Sequence, residues 1–98
     1  MTSVVIDPQA ILDIEEAARW YENQLYGLGV DFVLEADFAI NRVQKNPLLY
    51  AQSYRTVRRV LFRRFPYAMY FVIHDKEIII VAVLHQVRSD ESVTLRLL

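Results

Sequence analysis

Residues 67–85 read YAMYFVIHDKEIIIVAVLH, from Tyr67 to His85. Two apolar runs, Tyr67–His74 and Glu77–His85, flank the pair Asp75-Lys76. Both are rich in aromatic and β-branched residues, which suit a pleated surface. Two residues between such runs predict an antiparallel hairpin, although the favoured Asn-Gly is absent. The longest uncharged apolar stretch, Ile78–Leu84, is far short of the roughly 20 residues a membrane helix needs.

Upstream, Ser53–Arg64 alternates in part and is predicted as one strand. Arg55, Val57, Arg59, Leu61 and Arg63 then share one face, and Tyr54, Thr56, Arg58, Val60 and Phe62 the other. Phe65-Pro66-Tyr67 interrupts it. Further back lie two amphipathic helices. Asp7-Pro8 is a helix start, with Asp capping free amides and Pro suited to the first helical position. Ile11, Ile14, Ala18, Tyr21 and Leu25 recur at helical steps. Gly27-Leu28-Gly29 breaks the helix. A second runs from about Val30 to Lys45, with Phe32, Val33, Ala36, Ile40 and Val43 as its stripe, and Asn46-Pro47 stops it. The short break predicts an antiparallel helical hairpin. Ser3–Asp7 reads as a short strand, and Val93–Leu98 as a last strand or an extended tail. The order is β-α-α-β-β-β: an α+β class, with the hairpin packed on a mostly antiparallel sheet of 3-4 strands.

Ninety-eight residues predict a single domain over 1–98, since so short a chain holds one core. Hydrophobic residues make up 54% and charged ones 23%, which excludes global disorder. There is no cysteine, so disulfides, thiolate zinc sites and cysteine nucleophiles are excluded together. Met1-Thr2-Ser3 has no basic region and Val4-Val5-Ile6 is too short for a signal core. A soluble cytoplasmic protein without membrane association is expected.

The net charge is -1, but unevenly spread. Residues 1–50 carry eight acids and three bases; residues 51–98 carry eight bases and four acids. A general nucleic-acid binder is usually strongly basic throughout; here only one face can be cationic.

Several short motifs, in order, carry a resemblance. Glu15-Glu16-Ala17-Ala18-Arg19-Trp20-Tyr21-Glu22, Gly27-Leu28-Gly29 and Phe32 resemble the first half of the RelE/ParE toxin superfamily. Asn46-Pro47-Leu48-Leu49-Tyr50 resembles its segment after the second helix, and Val57-Arg58-Arg59, Phe65-Pro66-Tyr67 and Val83-Leu84-His85 its sheet. The match spans roughly residues 12–96 and favours the ParE-like, plasmid-stabilisation branch. The chain departs where the family often has two arginines after the histidine, here Val87-Arg88, and a tryptophan before the final arginine, here Val93 ahead of Arg96. The resemblance implies the toxin of a type II toxin–antitoxin module in bacteria, bound by a cognate, ParD-like antitoxin in a hetero-oligomer. ParE-like members block DNA gyrase by binding; RelE-like members cut mRNA in the ribosome. A third reading is a non-toxic paralogue that only binds its antitoxin.

Arg55, Arg58, Arg59, Arg63 and Arg64 fall within ten residues. They are either a solvated sheet face or an anion site, since arginine pairs bidentately with carboxylate and phosphate. As an antitoxin-binding surface the expected residues are Arg55, Arg59 and Arg63, with Trp20, Leu34 and Phe38 as apolar residues off the helices' main stripes. Arg88 and Arg96 are the expected target contacts. A ribonuclease would need a base, an acid and a cation. Its candidates are His85, Arg58, Arg64, Arg88 and Tyr67. Only His85 is an ordinary base, and a histidine ending an apolar strand is more often structural. His74, at the hairpin, is expected to be exposed. Asp13, Glu16 and Glu22 are read as acids that favour the helix dipole and solvate its outer face, with no metal and no cofactor expected.

Overall fold

The computed structural model describes residues 2–88 and Arg96. Val93 and its neighbours in the expected last strand lie outside them, apart from Arg96.

Strand β1, Ser3–Ile6, leads to Asp7, whose carboxylate accepts the Gln9 N–H at 2.8 Å and caps helix α1, Pro8–Gln24. Helix α2, Leu28–Lys45, follows after a three-residue break and ends at Asn46. It begins two residues earlier than predicted. Gly27 caps it with φ +92°, a backbone conformation that L side chains rarely adopt. Gly27 has no side chain to cap the helix, and Glu22 of α1 does so instead. Its carboxylate accepts the N–H groups of Gly27 at 3.1 Å and Gly29 at 2.9 Å. A carboxylate at a helix N-terminus also suits the helix dipole. A Cβ on Gly29 would lie 2.8 Å from the Ala18 carbonyl oxygen, so glycine lets the two helices meet backbone to backbone.

A 3-10 turn, Pro47–Leu49, leads to the sheet. The single strand expected over Ser53–Arg64 is two: β2, Gln52–Tyr54, and β3, Val57–Leu61, joined by a turn at Arg55-Thr56. Arg55 takes φ +49° there. No glycine, asparagine or proline marks this turn, which is why it was not legible. β4, Tyr67–His74, and β5, Glu77–His85, have the predicted bounds. Asp75 and Lys76 form the two-residue hairpin, both with positive φ, as a primed turn requires. The four strands after the helices and the N-terminal β1 form one five-stranded sheet in the order β1-β5-β4-β3-β2, with β1 parallel to β5 and the rest antiparallel, the expected α+β class.

The helices cover one face of the sheet. Phe32 is wholly buried and sits among Tyr21, Phe62, Phe65 and Tyr67, with ring centroids 5.0–5.6 Å away. Removing such a ring costs about 3–5 kcal/mol. Most of the predicted stripes face the core: Phe32, Ala36 and Val43 are buried, and Ile14, Ala18, Tyr21 and Ile40 pack against the core. Ile11, Leu25 and Val33 are exposed instead, while Ala10, Ala17 and Ala39, outside the predicted stripes, are buried and let the helices approach the sheet. On β5 the residues facing the helices change from Ile78 and Ile80 to Val83, because Val81 is an extra residue opposite the Tyr70–Phe71 step. Val57, Ala68, Tyr70, Ala82 and Leu84 form a second, smaller cluster.

Candidate functional site

Two carboxylates tie the helices to the sheet. Asp13 of α1 accepts the Val83 N–H at 2.9 Å, on the stretch of β5 that β1 no longer covers. Arg96 grips the same carboxylate with both Nη atoms, at 2.6 and 3.1 Å, and donates to the Val81 carbonyl at 3.1 Å. Arg96 therefore bridges α1 and β5, and both of its Nη atoms are taken up in this joint.

Glu35 of α2 is the only buried charged residue among those described. Its carboxylate accepts the backbone N–H groups of Arg63 at 3.3 Å and Arg64 at 3.1 Å. This fixes the bend between β3 and β4 against α2. The Arg42 guanidinium lies 3.8 Å from Glu35 and donates to the Leu61 carbonyl at 3.4 Å. Around this hub opens a cleft of about 510 Å³, bounded by Phe38, Asn41 and Lys45 of α2 and by Arg63 and Arg64.

A second concavity, about 420 Å³ and almost wholly apolar, runs between the outer faces of α1 and α2. Ala18 and Arg19 border it on one side, and Val30, Val33 and Leu34 on the other. Val30, Val33, Leu34 and Phe38 are all exposed at helical spacing on α2. Trp20 is 58% exposed, edge-on to Tyr21 at 5.0 Å, and borders a smaller cleft with Glu16 and Tyr67.

The expected line of arginines does not form. Arg55 sits in the turn over the Tyr54 ring at 5.2 Å. Arg59 is half-buried in β3 opposite Tyr70. Of these three arginines only Arg63 borders the cleft around Glu35. Of the ribonuclease candidates, His85 and Tyr67 come together, whereas Arg58 and Arg64 are engaged elsewhere. Arg58 donates to the Tyr50 carbonyl at 2.6 Å, and Arg64 pairs with Asp31 at 3.2 Å. His85 and Tyr67 are register partners with rings 5.3 Å apart. The His85 Nδ1 accepts the Val87 N–H at 3.2 Å, a structural bond. Burial, and then the neighbouring Tyr67 phenol, push the Tyr21 phenol above its ordinary value, so it stays neutral near pH 7. Arg88 closes a 3-10 turn, Gln86–Arg88, and its side chain lies outside what the structure describes. His74 is exposed, 3.7 Å from Asp75.

The chain matches the family described as ParE toxin of type II toxin–antitoxin system, parDE, over residues 4–89. It belongs to the ParE toxin family. Among solved structures it is similar to one described as the chromosomal ParDE TA system from P. aeruginosa, at 19% identity. The TM-score is 0.77, and the match covers 87% of this chain and 96% of that one, which establishes the shared fold. No curated protein matches it significantly.

In this ParE-family chain, sequence reasoning missed the joints. Asp13 and Glu22 were expected to solvate an outer face; one is a sheet anchor and the other a helix cap. Glu35 and Lys45 were not singled out. The one available signal for Glu35 was its place one turn from Ala39 and beside Ala36, on the buried side of α2. Among the described residues no cluster of three or more potential metal ligands occurs, and no helix is long and apolar enough to cross a membrane.

Proposed function

We propose that this ParE-family toxin inhibits DNA gyrase by binding and is neutralised by a cognate ParD-like antitoxin. The observation that carries the reading is family membership over residues 4–89. The apolar concavity between α1 and α2 supports the antitoxin part. A partner helix laid along it would cover Val30, Val33, Leu34 and Phe38, as an amphipathic helix fills a groove. Arg63 would take acidic residues of the antitoxin, with Arg55, Arg59 and Trp20 as flanking contacts. Arg88, near the C-terminal end, would meet the target.

Binding is favoured over RNA cleavage because Arg58 and Arg64 are engaged at separate carbonyl and carboxylate partners. An acid–base mechanism needs its groups together around one phosphate. Short induction in a bacterial host, following DNA and protein synthesis in parallel, tests the reading. Early loss of DNA synthesis, with inhibition of supercoiling by the purified protein, is expected. Early loss of protein synthesis would replace it with the ribosome-dependent endoribonuclease, with His85→Ala as the next variant. No effect on either would indicate a non-toxic antitoxin-binding paralogue.

A further inference from the structure

We infer that the cleft built around Glu35 is an anchor for one carboxylate of an acidic peptide segment on the partner chain. The inference rests on the reading that a partner chain docks along α2, and adds the chemistry of one contact.

Charge is the first argument. Four cations border the cleft: Arg42, Lys45, Arg63 and Arg64. Glu35 on its floor offsets one, and Asp31 engages Arg64 at 3.2 Å. Lys45 and the Arg63 guanidinium have no carboxylate partner among the described residues. Arg42 is loosely held: its contacts are 3.4 Å and 3.8 Å long, and its buried Nε has no acceptor. An incoming carboxylate therefore meets two free cations and a third that loses little by re-pairing. Arginine favours such an oxygen pair by its planar fork.

Glu35 makes the site. Its bonds to the Arg63 and Arg64 amides hold the bend, so the Arg63 side chain leaves a fixed backbone. Glu35 is thus a positioning residue, and the ligand carboxylate enters above it.

Continuity is the second argument. Phe38 belongs both to the exposed stripe of α2 and to the wall of the cleft. A peptide seating apolar residues on Val30, Val33 and Leu34 brings its next residues to Phe38 and the cations. A nucleic-acid strand fits less well. Its charges repeat along the backbone, whereas the cations here form an isolated group, and Asp31, 3.2 Å from Arg64, would repel a neighbouring phosphate.

The test uses the full chain, 15N-labelled, titrated with an acetylated, amidated decapeptide of leucine and alanine carrying one glutamate. The same peptide with glutamine, and a single-stranded dodecathymidylate, are run beside it. We expect the glutamate peptide to bind at least about tenfold tighter at low salt, equivalent to ~1.4 kcal/mol. It should shift the amides of Asn41, Lys45 and Arg63. The advantage should vanish in the Lys45→Ala, Arg63→Ala double variant, whose spectrum and unfolding midpoint show that it remains folded. Equal affinity of the two peptides, both shifting Val33 and Leu34, overturns the anchor and leaves helix docking intact. Failure of either peptide to shift Val33 and Leu34 counts against docking itself, and failure to shift the cleft overturns the anchor. Stronger shifts of the cleft by the oligonucleotide overturn it in favour of a phosphate site.

Discussion

Asp13 and Glu35 are the same device used twice. Each helix sends one carboxylate inward to an arginine and to backbone N–H: Val83 on β5 for Asp13, the Arg63-Arg64 bend between β3 and β4 for Glu35. The exposures match: 9% and 6% for the acids, 24% for both arginines. The geometry does not. Arg96 holds Asp13 with two bonds, at 2.6 and 3.1 Å, whereas Arg42 approaches Glu35 only to 3.8 Å. The first joint is closed, with its charges matched. The second is open, with cations to spare. Burial alone does not distinguish a structural ion pair from a site; the count of satisfied donors does.

Isosteric neutralisation is the sharpest way to break this contrast. Asp13→Asn leaves the Arg96 guanidinium largely buried against an amide, and should cost about 3 kcal/mol in urea unfolding. Gly29→Ala tests a joint made by backbone contact. Its Cβ would lie 2.8 Å from a carbonyl that cannot rotate away, and a loss of about 2 kcal/mol is expected. Glu35→Gln keeps an acceptor for one of the two amides but loses the bond to the other together with a long ion pair, so about 1.5 kcal/mol is expected by the same measurement. Equal losses in Asp13→Asn and Glu35→Gln would erase the distinction between closed and open joints. Arg63→Ala should leave unfolding unchanged within about 0.5 kcal/mol. The same variant should weaken antitoxin binding in a titration, and a stability loss as large as that of Glu35→Gln would make Arg63 part of the joint.

The β4–β5 hairpin was legible to the residue because two apolar runs enclose a two-residue gap. The two helices were legible from capping and spacing, and so was most of the face each buries, Phe32, Ala36 and Val43 among it. The edges of that face were not, because large apolar residues such as Ile11 and Val33 lie beside it and periodicity does not mark where burial stops. The split of Ser53–Arg64 was hidden because Arg55 and Thr56 make a turn without a turn residue's signature. The candidate site was legible as an excess of arginine and not as a place, since alternation assumed one straight strand.

The sequence by itself determined the class of fold, the order of its elements and the resemblance to the ParE family. These depend on local signals: spacing, caps, and motifs kept in order. Tertiary structure alone decided which charges are spent. Asp13 and Arg96 are 83 residues apart in the chain, and Glu35 and Arg64 are 29 apart. Whether an acid–arginine joint closes, as Asp13 and Arg96 do at 2.6 Å, or stays open, as Glu35 and Arg42 do at 3.8 Å, is set by how the helices pack on the sheet.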